Sequence, residues 1–259
     1  MGKAINIGKS KVTLDSDPFV IAEIGINHNG NISLGKEIIQ AAYENGADAV
    51  KFQTYITDER FDNKNLSFIK YFKNMELSFE KEKILWDYAR KFKKKIFSTP
   101  FDKKSLEFCI NNKVDAIKIA SFETTNNSLV KNILKFKKTI FISTGQNTYE
   151  EVKKIYKRFE LNKNKVCLMH CISSYPTKDK HANVYKINSL AKISKYILGY
   201  SDHTLGYKSA TYAFVLGARF FEKHFTINKK LKGPDHKMSS TPKELYEYKK
   251  NLMIVKEML

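Results

Sequence analysis

The chain has 259 residues, of which 42% are hydrophobic and 28% charged, a composition that excludes intrinsic disorder and allows one large α/β domain or two small ones. No apolar run approaches the roughly 18 residues of a membrane span. The N-terminal MGKAINIGKSK lacks the apolar core and cleavage site of a secretory leader, and Asn6 breaks the myristoylation pattern. The formal charge of +19 comes from lysines spread along the whole chain, which reads as a solvated basic surface able to steer a small anion, not as a nucleic-acid groove.

In chain order, FVIAEIG (19–25) is the first of eight short β-rich runs. NHNG (27–30) then reads as a turn, with His28 as a capping side chain. SLGKEIIQAAYENG is amphipathic, with Ser33 as N-cap and Gly46 as the stop. After AVKFQTY (49–55), the stretch from Thr57 to Glu76 is long for a strand-to-helix connection and is expected to fold over one face. Its aromatic part, FIKYFKNMELSF, reads as loop packing. SFEKEKILWDYARKF follows, with Ser78 as cap and Glu80 and Glu82 in the first turn, where the helix dipole favours negative charge. The next runs are KIFSTPF (95–101), AIKIAS (116–121) and TIFISTG (139–145). TYEEVKKIYKRF carries a capping box from Thr148 to Glu151. VCLMHC (166–171), ILGYSD (197–202) and ARFFEKHF (218–225) complete the strands, and TPKELYEYKKNLMIVKEML closes with Thr241 as cap, Pro242 in the first turn and Glu244 three residues after the cap. Cys109, Cys167 and Cys171 form no framework or zinc spacing and read as reduced, packed thiols of a cytoplasmic protein.

Eight strands, mostly followed by helices, predict an α/β fold of the (β/α)8 TIM-barrel type spanning residues 1–259 as a single domain. A doubly wound sheet is the alternative, but EIGINHNG is not a GxGxxG turn. A barrel places its chemistry at the C-terminal ends of its strands. Every predicted strand end here is polar: Glu23; Lys51 and Gln53; Ser98 and Thr99; Lys118, Ser121 and Glu123; Ser143 and Thr144; His170, Ser173 and Tyr175; Ser201, Asp202 and His203; Glu222 and His224. Lys51 and Gln53 share a face of their strand, as do Ser201 and His203, and Glu222 and His224. One such residue is commonly a satisfied core group. Eight strands together are better explained by one polar pocket, because unpaired buried charge is costly. Lys51 and Lys118, with Thr99, Ser121 and Ser143, suit a phosphate and a carboxylate. His203 and His224 suit a divalent metal with open positions. Glu23 and Glu123 suit proton transfer or sugar-hydroxyl binding. The residues alone therefore reach a barrel enzyme, an anionic phosphorylated substrate, a divalent metal and two carboxylates.

IAEIGINHNG, VKFQTY, FSTPFD, IKIASFE, STG, HCISSYPT, GYSDHT, EKHFT and GPDHKMS occur in this order and together resemble the N-acetylneuraminate (sialic acid) synthase family, with its legionaminic and pseudaminic acid relatives, over residues 17–258. The resemblance implies condensation of phosphoenolpyruvate with an N-acetylated hexose, N-acetylmannosamine or a 6-deoxy diacetamido hexose. The products are a nine-carbon 2-keto sugar acid and phosphate, reached through a metal-activated aldehyde and C–O cleavage. It implies Mn2+, with Mg2+ or Co2+ as alternatives, and a homodimer without nucleic-acid or membrane partners. By motif match, Lys51, Thr99, Lys118, Ser121, Ser143, Ser173 and Ser201 would hold phosphoenolpyruvate, with Asp202 among the substrate residues. His203 and His224 would bind the metal, and Glu23 and Asp235 the sugar. Gln53 and Tyr175 would line the site, with Glu123 as acid/base and Glu23 in the catalytic set. Ser173 stands where sialic acid synthases proper often have asparagine, which points toward the modified-sugar relatives. The resemblance stops before the C-terminal antifreeze-like (SAF) domain that in the family caps the neighbouring subunit's site, so that domain is expected to be absent from this chain, with a separate cap domain or chain as a candidate partner. The alternative function is a capless, non-catalytic or partner-dependent subunit that binds sugar and phosphoenolpyruvate.

Overall fold

A computed structural model describes residues 2–61 and 66–259. An N-terminal hairpin, β1 (Ile5–Ile7) and β2 (Ser10–Val12), precedes eight parallel strands: β3 (Phe19–Gly25), β4 (Ala49–Thr54), β5 (Lys95–Pro100), β6 (Ala116–Ile119), β7 (Ile140–Ser143), β8 (Val166–His170), β9 (Leu198–Asp202) and β10 (Ala218–His224). They close in the order β10-β3-β4-β5-β6-β7-β8-β9, so the predicted (β/α)8 barrel is the fold. Nearly every strand residue is buried, as expected where helices cover the outside and side chains fill the inside. All eight predicted strands form; the hairpin is an addition that the sequence reading did not contain.

The barrel's lower half is solid. Phe19, Phe97, Phe141 and Phe220 make a closed circuit of rings with centroids 5.0 to 6.0 Å apart. The hairpin's Ile5, Ile7 and Val12 pack beneath them with Ile21, Cys167 and Met169. Backbone bonds between Lys3 and both Lys195 and Ile197, and a bond from Thr139 Oγ1 to the Asn6 carbonyl (2.9 Å), tie this plug to the strand starts. Any cavity must therefore open at the other, C-terminal end.

Helix caps follow the sequence closely. Ser78 caps α4 (Phe79–Arg90), and full capping boxes start the helices Tyr149–Leu161 and Pro242–Glu257 at Thr148 and Thr241. In α1 (Ile32–Glu44) the cap is Asn31, which accepts from Leu34 N, and not Ser33, which already lies inside the first turn. After β4 the long connection forms α2 (Thr57–Arg60) and α3 (Leu66–Met75). There Phe72 packs on Tyr55 and Phe61, so the aromatic run serves packing as expected. His28 Nδ1 accepts from Gly30 N at 3.1 Å, the turn-capping role expected for it. No described helix is long and apolar enough to cross a membrane.

On the outside of the barrel, α4 inserts Glu82 between strand and helix. Its Oε1 accepts from Thr54 Oγ1 at 2.6 Å, and Thr54 Oγ1 lies 2.6 Å from Ser98 Oγ. Burial pushes the Glu82 carboxyl up to about 8, against a smaller opposing effect from the Thr54 bond. The folded state thus holds a proton that the unfolded chain, with an ordinary value of 4.5, releases. Glu82 favours folding below pH 4.5, and its contribution is lost as pH rises toward about 8. Urea unfolding at several pH values is expected to show Glu82→Gln removing a decline of up to ~1.4 kcal/mol per pH unit across that window. Parallel pH profiles for the two proteins would show that Glu82 is not protonated in the fold.

Candidate active site

Inward-facing positions change character partway up most of the strands. Phe19 and Ile21 give way to Glu23, Ala49 to Lys51 and Gln53, Phe97 to Thr99, Ala116 to Lys118, Phe141 to Ser143, and Phe220 to Glu222 and His224. Strand alternation carries each apolar residue and its polar successor on one face. The polar layer lines a chamber of about 260 Å³ at the C-terminal mouth.

Its floor is a network of buried charges. Lys51 Nζ lies 2.6 Å from Glu23 Oε2 and 3.6 Å from Glu222 Oε2, and donates to Thr99 Oγ1 at 3.0 Å. Lys118 donates to Glu222 Oε1 and, at 3.2 Å, to Ser201 Oγ. Ser201 Oγ in turn donates to Glu222 Oε1 at 3.1 Å. Gln53 Nε2 donates to Glu23 Oε1 at 3.0 Å. Burial alone would raise Glu222, but Lys118 and Lys51 outweigh it and hold its carboxyl below the usual range. Burial raises Glu23 despite Lys51. Burial depresses Lys51 too, yet Glu222 and Glu23 outweigh it and leave it raised. Lys118 ends lowered, because burial and the neighbouring Lys51 oppose Glu222. For a simple ion pair, the directions at Lys118 and Glu222 conflict. With two cations on one carboxylate, we take Glu222 as ionised and Lys118 as the ammonium more readily perturbed by a bound anion.

Around the wall, Gly145 N donates to Ser121 Oγ at 2.9 Å, and a Cβ on Gly145 would stand 2.6 Å from Cys171 Sγ and 2.7 Å from Ser173 Oγ. Only glycine permits that approach. Buried Ser143 Oγ has no hydrogen-bond partner among the described residues, which leaves a hydroxyl for a ligand.

His203 and His224 face each other across 5.6 Å between ring centroids, with the Tyr175 ring 4.1 Å from His203. His203 Nδ1 meets the Ile172 carbonyl at 2.7 Å; a carbonyl only accepts, so Nδ1 carries the proton and Nε2 offers its lone pair. Burial and then His224 push His203 down to about 3, and burial lowers His224, so both rings are neutral near pH 7. Buried His224 Nδ1 has no hydrogen-bond partner among the described residues, and Asp235 Oδ2 lies 3.5 Å from it. No group of three or more His, Cys, Asp or Glu side chains among the described residues is arranged to hold a metal. Two neutral imidazoles with an orphaned nitrogen do fit a divalent ion whose remaining positions go to substrate or water.

Of the residues singled out from sequence, Glu23, Lys51, Gln53, Thr99, Lys118, Ser121, Ser143, Ser173, Tyr175, Ser201, His203, His224 and Asp235 line this one chamber. Two do not. Asp202 points outward by strand alternation, where Oδ2 pairs with Lys223 at 3.0 Å and Oδ1 accepts from Thr204 N at 2.8 Å. Glu123 sits at the rim outside the lining, its Oε2 accepting from Asn126 at 2.8 Å. The chamber also contains Glu222, which the strand pattern puts on the face of His224 without assigning it a ligand, Cys171, expected only as a packed thiol, and Arg60 and Gln146, which the strand pattern does not single out. Arg60 lies in the long connection, where no periodic pattern marks it.

Similarity to known proteins agrees with this geometry. Residues 38–259 match the NeuB family. The chain is 40% identical over 256 residues to an uncharacterized protein of Methanocaldococcus jannaschii, covering 98% of this chain and 76% of that one. It is 39% identical over 247 residues to the N,N'-diacetyllegionaminic acid synthase of Legionella pneumophila, covering 88% and 69%. The crystal structure of N-acetylneuraminic acid (sialic acid) synthetase from Leptospira borgpetersenii, in complex with citrate, superimposes with a TM-score of 0.95 at 31% identity, covering 100% of this chain and 90% of that one.

Removal of the outward carboxylate isolates a buried ammonium. Asp202→Ala is expected to destabilise the fold by ~3–5 kcal/mol in urea unfolding. A cost under about 1 kcal/mol would mean that Lys223 is held adequately by its other partners. The chain belongs to the NeuB family, whose named members above are synthases.

Proposed function

We propose that the chain condenses phosphoenolpyruvate with the open-chain form of an N-acetylated hexose, N-acetylmannosamine or a 6-deoxy diacetamido hexose, giving a nine-carbon 2-keto sugar acid and phosphate. The supporting observation is the convergence of two ammonium groups, a ring of hydroxyls and two neutral imidazoles on one chamber, in a chain similar to named legionaminic and sialic acid synthases. Lys118, Ser121, Ser143, Ser173 and Ser201 surround one side and suit the phosphate and carboxylate of phosphoenolpyruvate, with Lys51 and Thr99 beside them. Glu23, Gln53, Tyr175 and Asp235 offer acceptors and donors to sugar hydroxyls. His203 and His224 would hold the divalent ion, Mn2+ in our reading; when bound, it supplies Lewis acidity toward the sugar aldehyde.

The enol carbon forms the new C–C bond. Water adds to the resulting cation at C2, and C–O cleavage then releases inorganic phosphate. Glu23 has its pKa raised by burial and touches Lys51 and Gln53, so it is a chamber carboxyl suited to take up and return a proton. Glu123, outside the lining, is suited to shaping the rim. Glu23→Gln is expected to lower kcat about 100-fold or more while phosphoenolpyruvate still binds, and Glu123→Gln to stay within about tenfold of the parent. The reverse ranking in steady-state assays would return the proton role to the rim.

The reaction itself is tested by phosphate release with phosphoenolpyruvate, Mn2+ and a panel of N-acetylated hexoses. Release that requires both substrates is the expected result. Phosphoenolpyruvate and Mn2+ binding without release for any sugar would favour the binding-subunit alternative.

A further inference from the structure

One cation in the chamber is not used by the floor network. Arg60, the last residue of α2, lines the chamber on the side of Ile26, Phe72, Phe101 and Asp235. Its guanidinium carbon lies 3.6 Å from the Phe101 ring centroid, 4.9 Å from those of Tyr55 and Phe61, and 5.4 Å from that of Phe72. Aromatic faces hold a guanidinium through its plane and leave its N–H groups directed outward at the edge. Nη1 is buried, and among the described residues it has no hydrogen-bond partner and Arg60 makes no ion pair. Burial pulls its pKa down to about 10, with Tyr55, Glu123 and Asp235 opposing, as expected of a desolvated cation with incomplete compensation.

A buried donor left unsatisfied is costly, so it marks a position for a ligand acceptor. The surroundings restrict what that acceptor is. Lys51 and Lys118 already offer point charges for anionic groups on the floor. Asp235, on the wall beside Arg60, disfavours a second carboxylate or phosphate there. A guanidinium N–H edge amid Ile26, Phe72 and Phe101, its charge already opposed by Glu123 and Asp235, matches a neutral carbonyl with a methyl beside it, the shape of an acetamido group.

Resting on the synthase reading above, we propose that Arg60 is a specificity-determining residue that donates from Nη1 to the acyl oxygen of the hexose acetamido group, with the acyl methyl against the aromatic wall. The chain thereby supplies from its own strand-to-helix connection a guanidinium for the acceptor sugar. Arg60 makes the site prefer acylated over non-acylated hexoses without taking part in phosphoenolpyruvate binding.

The test is calorimetry on the full chain with phosphoenolpyruvate and Mn2+ present, titrating N-acetylmannosaminitol, the reduced open-chain hexitol, and mannitol as its non-acylated counterpart. Arg60→Met keeps a stem on the rings and removes the donor. It is expected to weaken N-acetylmannosaminitol binding roughly 10- to 100-fold, to leave phosphoenolpyruvate affinity within about twofold and to erase most of the preference over mannitol. Arg60→Lys, which keeps a cationic donor, is expected to recover part of the loss. Unchanged hexitol affinity in Arg60→Met, or equal losses for hexitol and phosphoenolpyruvate, would overturn the proposal and leave Arg60 as a packing residue. If the parent protein binds no hexitol and releases no phosphate with any sugar, the synthase reading falls and this inference falls with it; phosphate release by the parent with an unaltered Arg60→Met preference sinks the inference alone.

Discussion

Glu222 is shared between two buried ammonium groups, and the chamber's geometry depends on that sharing. Lys118 and Lys51 approach its two oxygens from different strands, and Glu23 completes the charge balance from a third. Two lysines in a barrel interior would be prohibitively desolvated alone, and two carboxylates equally so. Together they hold four side chains in fixed positions before any substrate arrives. Such a network sacrifices stability relative to an apolar core and keeps donors oriented toward the cavity.

Fixed orientation also requires a closed base. The circuit of phenylalanine rings and the hairpin beneath it fill the lower barrel. Close packing there leaves the polar layer a single direction in which to open. Each strand therefore has two tasks divided along its length, apolar filling first and ligand binding second. The parallel arrangement aligns the polar strand ends at one mouth of the barrel.

The other faces of the same strands are used with equal economy. Asp202 and Lys223, each next to an inward residue, pair with one another behind the wall and anchor the segment that carries His203. His203 is held in one tautomer by the Ile172 carbonyl, and Gly145 leaves room for Cys171 and Ser173 to crowd the wall. Positioning residues of this kind surround the chamber without touching its contents.

Much of this was legible in the sequence. Strand alternation and strand order depend on local pattern, so FVIAEIG, AVKFQTY and ARFFEKHF could be read as barrel strands with Glu23, Lys51 and His224 facing inward. Helix caps such as Thr148 and Thr241 are local chemistry and were legible for the same reason. Counting inward positions would also have excluded Asp202. Other features were decided only by tertiary structure. The hairpin plug, the caging of Arg60 by four aromatic rings and the placement of Glu123 outside the chamber depend on contacts between distant or irregular segments. Periodicity fixes which way a strand residue points, because the backbone repeats. A loop residue has no repeat to read, and its direction is set by whatever the rest of the chain packs against it.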